Sequence, residues 1–430
     1  MSALLALRSA LSGGSGPSRA APGSVAAIGR GWLVAGFVVF AGYAGIVALV
    51  SGIGVHRQWA IIAAPAYLLA AVAALWKRRG LEISVALGVA GGLVAPLIWL
   101  AVRHQSQREL WVIVRGARLL IRHGTPYESA AALAGTHNPD AYNPYLPVMA
   151  IFGVARAQLG NSLLTDPRIW LSAVFVVIFA LALRCAGARD VWRWTALVTA
   201  TPLVAFPLAV AGDDMPVLAL MCLGLALLWR PGRQNGPVLA GVALGVAAGM
   251  KATAWLALVV ALALLAARDG RRAAASFAAT ALAVMAVLVG PVAVVAPTAL
   301  VDNTISFPLG LSHVKSGAAS PLPGYLLAQT GHPGHLVAVG LLVLSGLAVA
   351  LSLVIRPPMD CRSATWRLII GLVLMFSLAP ASRFGYYIYP AGLWVWMQVS
   401  SLGDRASAKP GSPDRGPPEL AAGDGKRIHG

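Results

Sequence analysis

Long apolar runs recur along almost the whole chain, and they constrain its fold more than any other feature of the sequence. Many of these runs are close to 20 residues long, which is the length of helix that crosses the hydrocarbon core of a bilayer. Lipid offers no hydrogen-bond partners to the backbone, so a spanning segment of this length must be helical. With a mean hydropathy of +0.75 and only 11% charged residues, the chain is predicted to be an all-α polytopic membrane protein.

The apolar segments predict about twelve transmembrane helices, within a range of eleven to thirteen. Thirteen segments can be delimited, at residues 31–54, 58–76, 81–102, 144–158, 169–186, 193–211, 215–230, 237–250, 253–267, 273–296, 334–355, 367–382 and 386–402. Both chain ends are predicted to be cytoplasmic, which requires an even number of crossings. Segment 144–158 is short and opens with prolines, so we expect it to be re-entrant or to lie in the interface.

The formal net charge of +18 suggests a nucleic-acid partner at first, but the placement of the basic residues argues against one. No basic stripe with interleaved aromatic residues is present in the sequence. The basic residues instead form short clusters between apolar segments, which is the pattern of cytoplasmic loops under the positive-inside rule. These clusters are Lys77, Arg78 and Arg79; Arg230 and Arg233; Arg268, Arg271 and Arg272; and Arg362 and Arg367. The same orientation places two long loops, residues 103–143 and 297–333, on the outer face.

The composition divides the chain into three regions. Residues 1–30 and 404–430 are predicted to be disordered cytoplasmic tails, because they are rich in small and polar residues. Residues 31–403 form the predicted transmembrane domain. A cleaved signal peptide is not expected, since the first long apolar stretch begins only near Trp32. The three cysteines are widely spaced and predict neither a metal site nor a disulfide framework.

The first outer loop contains a predicted amphipathic helix that Glu109 opens. Residues 109–127 read ELWVIVRGARLLIRHGTPY. On a helical wheel one face carries Leu110, Ile113, Val114, Ala117, Leu120 and Ile121, and the other carries Arg108, Arg115, Arg118 and Arg122. Glu109 lies at the mouth of the preceding span, where it is a candidate general base. Taken alone, its sequence position favours a carboxylate that only stabilises the helix N-terminus.

Three further polar positions lie in short turns that are also predicted to face outward. Asp213 and Asp214 stand between apolar runs, where carboxylates are costly and often functional; a solvated turn is the alternative. Lys251 interrupts a long apolar stretch, either to contact a phosphate or to reach the interface with its long side chain. Arg383 precedes the aromatic run FGYYIYP and is suited to hold a phosphate, although an interfacial arginine within an aromatic belt fits as well.

The order of these features resembles the GT-C glycosyltransferases, and most closely the bacterial polyprenyl-phosphate-mannose-dependent enzymes of glycosyltransferase family 87. In that family a catalytic acidic residue in the first outer loop is followed by a helix and a Pro-Tyr turn. The matching positions here are Glu109, then Gly124, Pro126 and Tyr127, then Tyr142, Pro144 and Tyr145. Segments 212–233 and 241–258 are also similar, with Lys251 at the lysine of the family. The resemblance covers roughly residues 85–400.

The resemblance implies a GT-C-like fold and a mannosyltransferase of the cell envelope whose active site faces outward. The donor would be a polyprenyl-phosphate hexose, specifically mannose, and the acceptor a glycolipid or polysaccharide. Glu109 would be the catalytic base, and Lys251 and Arg383 would bind the donor phosphate. Contacts to the acceptor or sugar are expected from Tyr127, Tyr142, Tyr145 and Tyr386. We expect the lipid bilayer as a partner, and no cofactor, metal or nucleic acid.

Two alternatives remain open from the sequence. The family usually has aspartate where this chain has Glu109, so the competing acids are Asp140, Glu128, Asp213 and Asp214. A polytopic transporter or lipid flippase is the alternative function, and it predicts ionisable residues deep within the spans and an internal repeat. A non-catalytic membrane scaffold does not explain why polar residues collect on the outer face. A phosphate-binding G-x-x-x-x-G-K-[ST] loop is absent from the sequence, which argues against an ATP-driven pump.

Overall fold

The computed structural model describes residue 25, residues 28–77 and residues 79–407, and every regular element within them is helical. The longer helices, numbered in chain order, are α1 (Arg30–Val50), α2 (Gly54–Ala73), α3 (Gly80–Val102), α4 (Arg108–His123), α5 (Ile151–Leu159), α6 (Pro167–Ala186), α7 (Val191–Ala200), α8 (Pro202–Val210), α9 (Asp214–Leu227), α10 (Gly236–Met250), α11 (Trp255–Arg268), α12 (Arg271–Val295), α13 (His332–Ile355), α14 (Cys361–Leu378) and α15 (Ile388–Ser407). Short helical segments are Ala130–Ala134, Pro139–Ala141, Pro147–Ala150, Ala252–Ala254, Pro297–Val301, Asp302–Ser306, Pro323–Ala328 and Phe384–Tyr387. The prediction of an all-α polytopic membrane protein is confirmed.

By the criteria of helix length and apolar composition, fewer of the described helices can cross the membrane than the twelve or so that the sequence predicts. Among the described residues six helices are long and apolar enough to cross, namely α1, α3, α6, α12, α13 and α14. Four predicted segments form shorter apolar helices; α9 and α10, for example, have 14 and 15 residues. A perpendicular crossing needs about 20 residues. The count of about twelve is therefore not confirmed and stays a prediction.

The predicted segment 193–211 is broken into two helices. Helices α7 and α8 meet at Thr201 with a bend of 68°. Pro202 follows Thr201, and the residue before a proline is disfavoured in the helical conformation. Thr201 accordingly takes an extended conformation with φ −70° and ψ 145°. The end of α8 lies beside the segment before α4, where the backbone N–H of Gln107 donates to the carbonyl of Val210 at 3.1 Å.

Helix α9 forms the centre of the bundle, because every residue from Met215 to Leu227 is buried. It packs against α6 and α10. Gly224 permits the close approach to α10, since a Cβ at this position would lie 2.5 Å from Leu244 Cγ. The outer helices differ, because α12 and α13 expose large apolar side chains such as Leu282, Val287 and Val354. That distribution fits a bundle whose surroundings are lipid.

The amphipathic helix predicted in the first outer loop is present as α4. Four of the predicted apolar residues are buried, namely Leu110, Ile113, Val114 and Ala117, whereas Ile121 is exposed. The buried face packs against α5. The helix ends at Gly124, whose φ of 72° is the left-handed conformation that caps helices and favours glycine.

The two predicted tails, residues 1–30 and 404–430, lie mostly outside the described residues. The division of the chain into two tails and a transmembrane domain, residues 31–403, stays a prediction.

Candidate functional site

Five charged side chains from separate parts of the sequence meet at one end of the bundle. We call them the charged cluster: Glu109, Asp213, Asp214, Lys251 and Arg383. Each lies at or next to the end of a helix. Glu109 is in the first turn of α4, the two aspartates are at the start of α9, Lys251 follows α10, and Arg383 precedes α15. Sequence analysis identifies all five as separate candidates, and the fold brings them together.

Backbone hydrogen bonds between loops and helix ends set this arrangement. The bond from Gln107 to Val210 holds the start of α4 beside the turn that carries Asp213. The N–H of Leu146 donates to the carbonyl of Met250 at 3.0 Å, which places Tyr145 beside Lys251. The loop of residues 103–143 is therefore attached by backbone hydrogen bonds to the helix ends that carry the other charges.

Lys251 bridges the two adjacent aspartates. Its Nζ lies 3.0 Å from Asp213 Oδ2 and also contacts Asp214 Oδ1. The Tyr389 hydroxyl donates to Asp214 Oδ1 at 2.7 Å. The side chains of Lys251, Asp213 and Asp214 are only 12%, 10% and 17% exposed. Two carboxylates and one ammonium carry a net negative charge. This part of the cluster can therefore bind a proton or a cationic group.

Glu109 forms an ion pair with Arg383 at the more open side of the cluster. Arg383 Nη1 donates to Glu109 Oε1. The Arg383 side chain is 41% exposed and that of Glu109 is 18% exposed. Arg383 is thus the cation of the cluster that an incoming ligand reaches first, and any anion that attracts it would release the Glu109 carboxylate.

Two tyrosine rings flank Lys251. Its Nζ lies 5.2 Å from the centroid of the Tyr145 ring and 5.3 Å from that of Tyr386, distances at which a cation is attracted to an aromatic face. Both rings are close enough to Arg383 for electrostatic interaction. The charged cluster is therefore lined by aromatic surface, which is the composition of a site that binds a sugar or a lipid headgroup.

Asp213 lies in the turn before α9 and has an altered proton affinity. Burial raises the pKa of Asp213 to about 6, Lys251 acts in the opposite direction, and the negative charges of Asp214 and Glu109 raise it further. A carboxyl group that titrates near neutrality is well suited to proton transfer. Asp213 therefore remains a competitor of Glu109 for the role of base.

The remaining predicted site residues lie outside the charged cluster. Asp140 pairs with Arg108 at 3.3 Å, and Glu128 faces Arg115 at 3.6 Å. Tyr127 is buried, and its hydroxyl donates to the carbonyl of Tyr145 at 3.0 Å. Tyr142 is also buried and is stacked on Phe307, with ring centroids 4.4 Å apart. Tyr127 and Tyr142 thus support the loop from behind, whereas Tyr145 and Tyr386 line the cluster.

The sequence places Tyr389 in the aromatic run after Arg383 that is suited to bind a phosphate and a sugar, and the structure adds its bond to Asp214. Sequence analysis does not assign two residues that the structure places beside the site. His56 and Gln107 contact each other beside Glu109. His56 is on α2, before the part of the chain that carries the family resemblance, so no motif points to it.

Unpartnered polar atoms accompany the charged cluster. The buried side-chain oxygens of Gln105, Ser106 and Ser382 have no hydrogen-bond partner. These residues are close in sequence to Glu109 or directly beside Arg383. Buried polar atoms normally find a partner, so these three oxygens are unsatisfied hydrogen-bonding groups on segments next to the cluster. Among the described residues no group of three His, Cys, Asp or Glu side chains is placed to hold a metal ion.

Comparison with known proteins gives one family and two solved structures. The model of Glycosyltransferase family 87 matches residues 143–380, more than half of the chain, and this segment contains Asp213, Asp214 and Lys251.

Crystal structures of ArnT from Cupriavidus metallidurans are similar to the chain. The form bound to undecaprenyl phosphate is 18% identical with a TM-score of 0.44, covering 76% of this chain and 61% of that one. The apo form is 19% identical with a TM-score of 0.43, covering 75% and 59%. The chain thus spans about three fifths of the length of ArnT, and no curated protein matches it.

Proposed function

Because the chain belongs to glycosyltransferase family 87, we propose that it is a GT-C-like membrane enzyme that transfers a hexose with inversion from a polyprenyl-phosphate donor. Mannose is the proposed sugar, and an envelope glycolipid or polysaccharide on the extracytoplasmic face is the proposed acceptor. One observation supports this function above all others: the charged cluster combines cations for a phosphate with carboxylates for an acceptor proton, between aromatic rings at a helix-end surface.

Glu109 is the proposed general base. It accepts the proton of the acceptor hydroxyl while the hydroxyl oxygen attacks the anomeric carbon of the sugar. The bond from that carbon to the phosphate oxygen breaks, and polyprenyl phosphate leaves with the electron pair. A single displacement from the opposite side inverts the anomeric configuration. Attack and departure occur in one step, so the enzyme needs no covalent intermediate.

Arg383 is the proposed first contact of the donor phosphate. It is the most exposed side chain of the charged cluster, and guanidinium groups bind phosphate oxygens in a bidentate manner. When the phosphate attracts Arg383, the Glu109 carboxylate loses its hydrogen-bonded partner and is free to accept the proton of the acceptor hydroxyl. Donor binding would therefore prepare the base for the acceptor.

Lys251 is proposed to act as a second positive charge at the phosphate. Asp213 and Asp214 already balance its charge, so Lys251 attracts an approaching phosphate less strongly than Arg383 does. Lys251 is therefore better suited to stabilise the charge that develops on the leaving phosphate than to provide initial affinity. Tyr145 and Tyr386 offer ring faces for the sugar, and Tyr127 contributes indirectly by fixing the carbonyl of Tyr145.

The experiment that tests this function uses the purified protein in liposomes that contain acceptor glycolipid. Radiolabelled polyprenyl-phosphate mannose is added in one arm, polyprenyl-phosphate glucose in a second, and nucleotide-linked mannose in a third. We expect label in the glycolipid from the first arm only, with the opposite anomeric configuration to that of the donor. Movement of the labelled donor between the two leaflets without transfer of sugar would instead establish the flippase alternative.

A further inference from the structure

We propose that His56 is a positioning residue of the active site, provided by the helix pair α1 and α2 that precedes the residues matched by the family. The proposal rests on the proposed function, in which Glu109 is the base. Its starting point is that His56 contacts the residue at the N-terminal cap of α4, the helix that Glu109 opens.

The His56 ring is held on three sides. Its Nε2 contacts Gln107 Nε2, and its Nδ1 lies 3.3 Å from Ser51 Oγ. Its edge meets the ring of Phe206 on α8, with centroids 4.8 Å apart. Contacts on both nitrogens and on the ring fix the orientation of the imidazole, so the position of Gln107 is determined by α2.

Gln107 transmits this position to Glu109. Its backbone N–H bonds the carbonyl of Val210, and its side chain bonds His56, so two neighbouring helices hold the residue. Glu109 follows two residues later, in the first turn of α4. The direction of that turn determines whether the Glu109 carboxylate faces Arg383, and with it the donor.

The protonation of His56 follows from its partners. With the Gln107 amide nitrogen as the donor, His56 Nε2 accepts the hydrogen bond and the ring proton lies on Nδ1, toward Ser51. The ring is then neutral. The charges of Glu109 and Arg383 both act on His56. A neutral ring leaves the Glu109–Arg383 pair undisturbed, whereas a charged ring would compete with Arg383 for Glu109.

Helix α2 is a rigid support for this contact. The Trp59 indole N–H donates to the carbonyl of Gly92 at 2.7 Å, inside the π-helical turn of α3. A Cβ at Gly91 would lie 2.0 Å from Ala66 Cβ, so α2 and α3 touch at their backbones. The position of His56 is therefore fixed by packing one turn away.

The test replaces His56 by leucine and by glutamine. We expect His56→Leu to lower kcat by about 10- to 100-fold, since a displacement of the base by about 1 Å has an effect of this size. The KM for the donor should change less than threefold, because the phosphate contacts remain. His56→Gln places an acceptor oxygen close to the original Nε2 and should restore most of the turnover. His123→Leu, the same change at an exposed site on α4, is the matched control.

A double-mutant cycle with Gln107→Leu separates positioning from general loss of structure. If His56 acts through Gln107, the double variant has about the same kcat as either single variant, because all three break one contact. If the reductions in kcat of the two single variants multiply in the double variant, the two residues act independently and the proposal is overturned. Full turnover of His56→Leu, or an equal loss in His56→Gln, would overturn it as well. If His56→Leu does not fold, Gln107→Leu removes the same contact from its other partner. Its kcat then tests the proposal.

The outcome can be told apart from a failure of the proposed function. A wild-type protein that transfers no sugar would refute the function itself. A wild-type protein that transfers sugar and loses this activity in Glu109→Gln, but not in His56→Leu, would refute only the role of His56.

Discussion

Glu109 and Arg383 form an ion pair although 274 residues separate them in the chain. The pair is only partly buried, so it adds little to stability, because exposed ion pairs typically contribute less than about 1 kcal/mol. Its arrangement is more informative than its energy, since a carboxylate at a helix start needs no arginine from the other end of the chain. In the proposed mechanism the donor phosphate separates the pair, so that Arg383 becomes a phosphate ligand and Glu109 a base.

The sharpest prediction at the scale of single residues concerns Glu109→Gln. The variant keeps the size of the side chain and removes the proton acceptor, so we expect sugar transfer to fall by about 100- to 10,000-fold. Donor binding should persist, because Arg383 is then unpaired. Glu109→Asp should retain part of the activity. The control is Glu128→Gln in the same loop. Near-normal turnover of Glu109→Gln would move the role of base to Asp213 or Asp214.

The role of Lys251 needs a different design, because the residue is buried between two carboxylates. Removing one partner of a buried ion pair typically costs about 3–5 kcal/mol of stability. A loss of activity in Lys251→Ala could therefore come from unfolding as well as from weaker contact with the phosphate. We therefore compare Asp213→Asn, in which Lys251 keeps its ion pair with Asp214, with Asp213→Asn/Lys251→Met, in which Tyr389 still donates to Asp214.

The two variants differ only in the ammonium group. If Lys251 stabilises the charge that develops on the leaving phosphate, adding Lys251→Met should lower kcat about 10- to 100-fold, since a charge-assisted hydrogen bond contributes about 1.5–3 kcal/mol. Steady-state kinetics at saturating donor concentration provide the measurement. Equal kcat values in the two variants would remove Lys251 from the phosphate site.

At the scale of elements, local patterns predict helices well and contacts between distant helices poorly. The amphipathic helix α4 follows from the 3.6-residue spacing of Leu110, Ile113, Val114 and Ala117, and it is present. The break at Thr201 has a local cause in Pro202 that a count of apolar residues overlooks. The contact of His56 with Gln107 could not be predicted, because it depends on how α2 packs beside α8, which no short motif encodes.

The close packing of α4 on α5 is predicted to position Glu109 as well, in addition to the contact of Gln107 with His56. A Cβ at Gly153 would lie 2.7 Å from the carbonyl oxygen of Ile113 and 2.9 Å from Val114 Cα. Gly153→Ala should therefore push α4 away, which costs about 1–3 kcal/mol for overpacking, and should lower both the unfolding temperature and the turnover.

The control for this change is Gly346→Ala in the middle of α13. A Cβ at that position would meet nothing within 4 Å. Glycine in a helix is about 0.5–1 kcal/mol less favourable than alanine, so this variant should be slightly stabilised and fully active. Thermal unfolding in detergent measures both variants, and an unchanged unfolding temperature in Gly153→Ala would show that α4 and α5 have room to separate.

At the scale of the whole molecule, opposite ends of the bundle carry different chemistry. The charged cluster lies where α8 ends and α9 begins, whereas the basic turn with Arg233 lies beyond the other end of α9. The two long loops also belong together, because Tyr142 of the first is stacked on Phe307 of the second. An enzyme that uses a lipid donor needs its polar chemistry at one membrane surface, and a carrier needs it along the path across the bilayer. The placement favours the enzyme.

The membrane orientation of these two ends is the last prediction, and it follows from the positive-inside rule. Basic turns such as the one with Arg233 should face the cytoplasm, so residues 103–143 and 297–333 should face outward. In a variant whose three native cysteines are replaced by alanine, we expect Ser129→Cys and Ser316→Cys to react with an impermeant maleimide in intact cells. Arg233→Cys, which is exposed at the opposite end, should react only after the membrane is permeabilised. Labelling of Arg233→Cys in intact cells, with the other two protected, would mean that the charged cluster faces the cytoplasm. The sugar would then have to be transferred on the inner face.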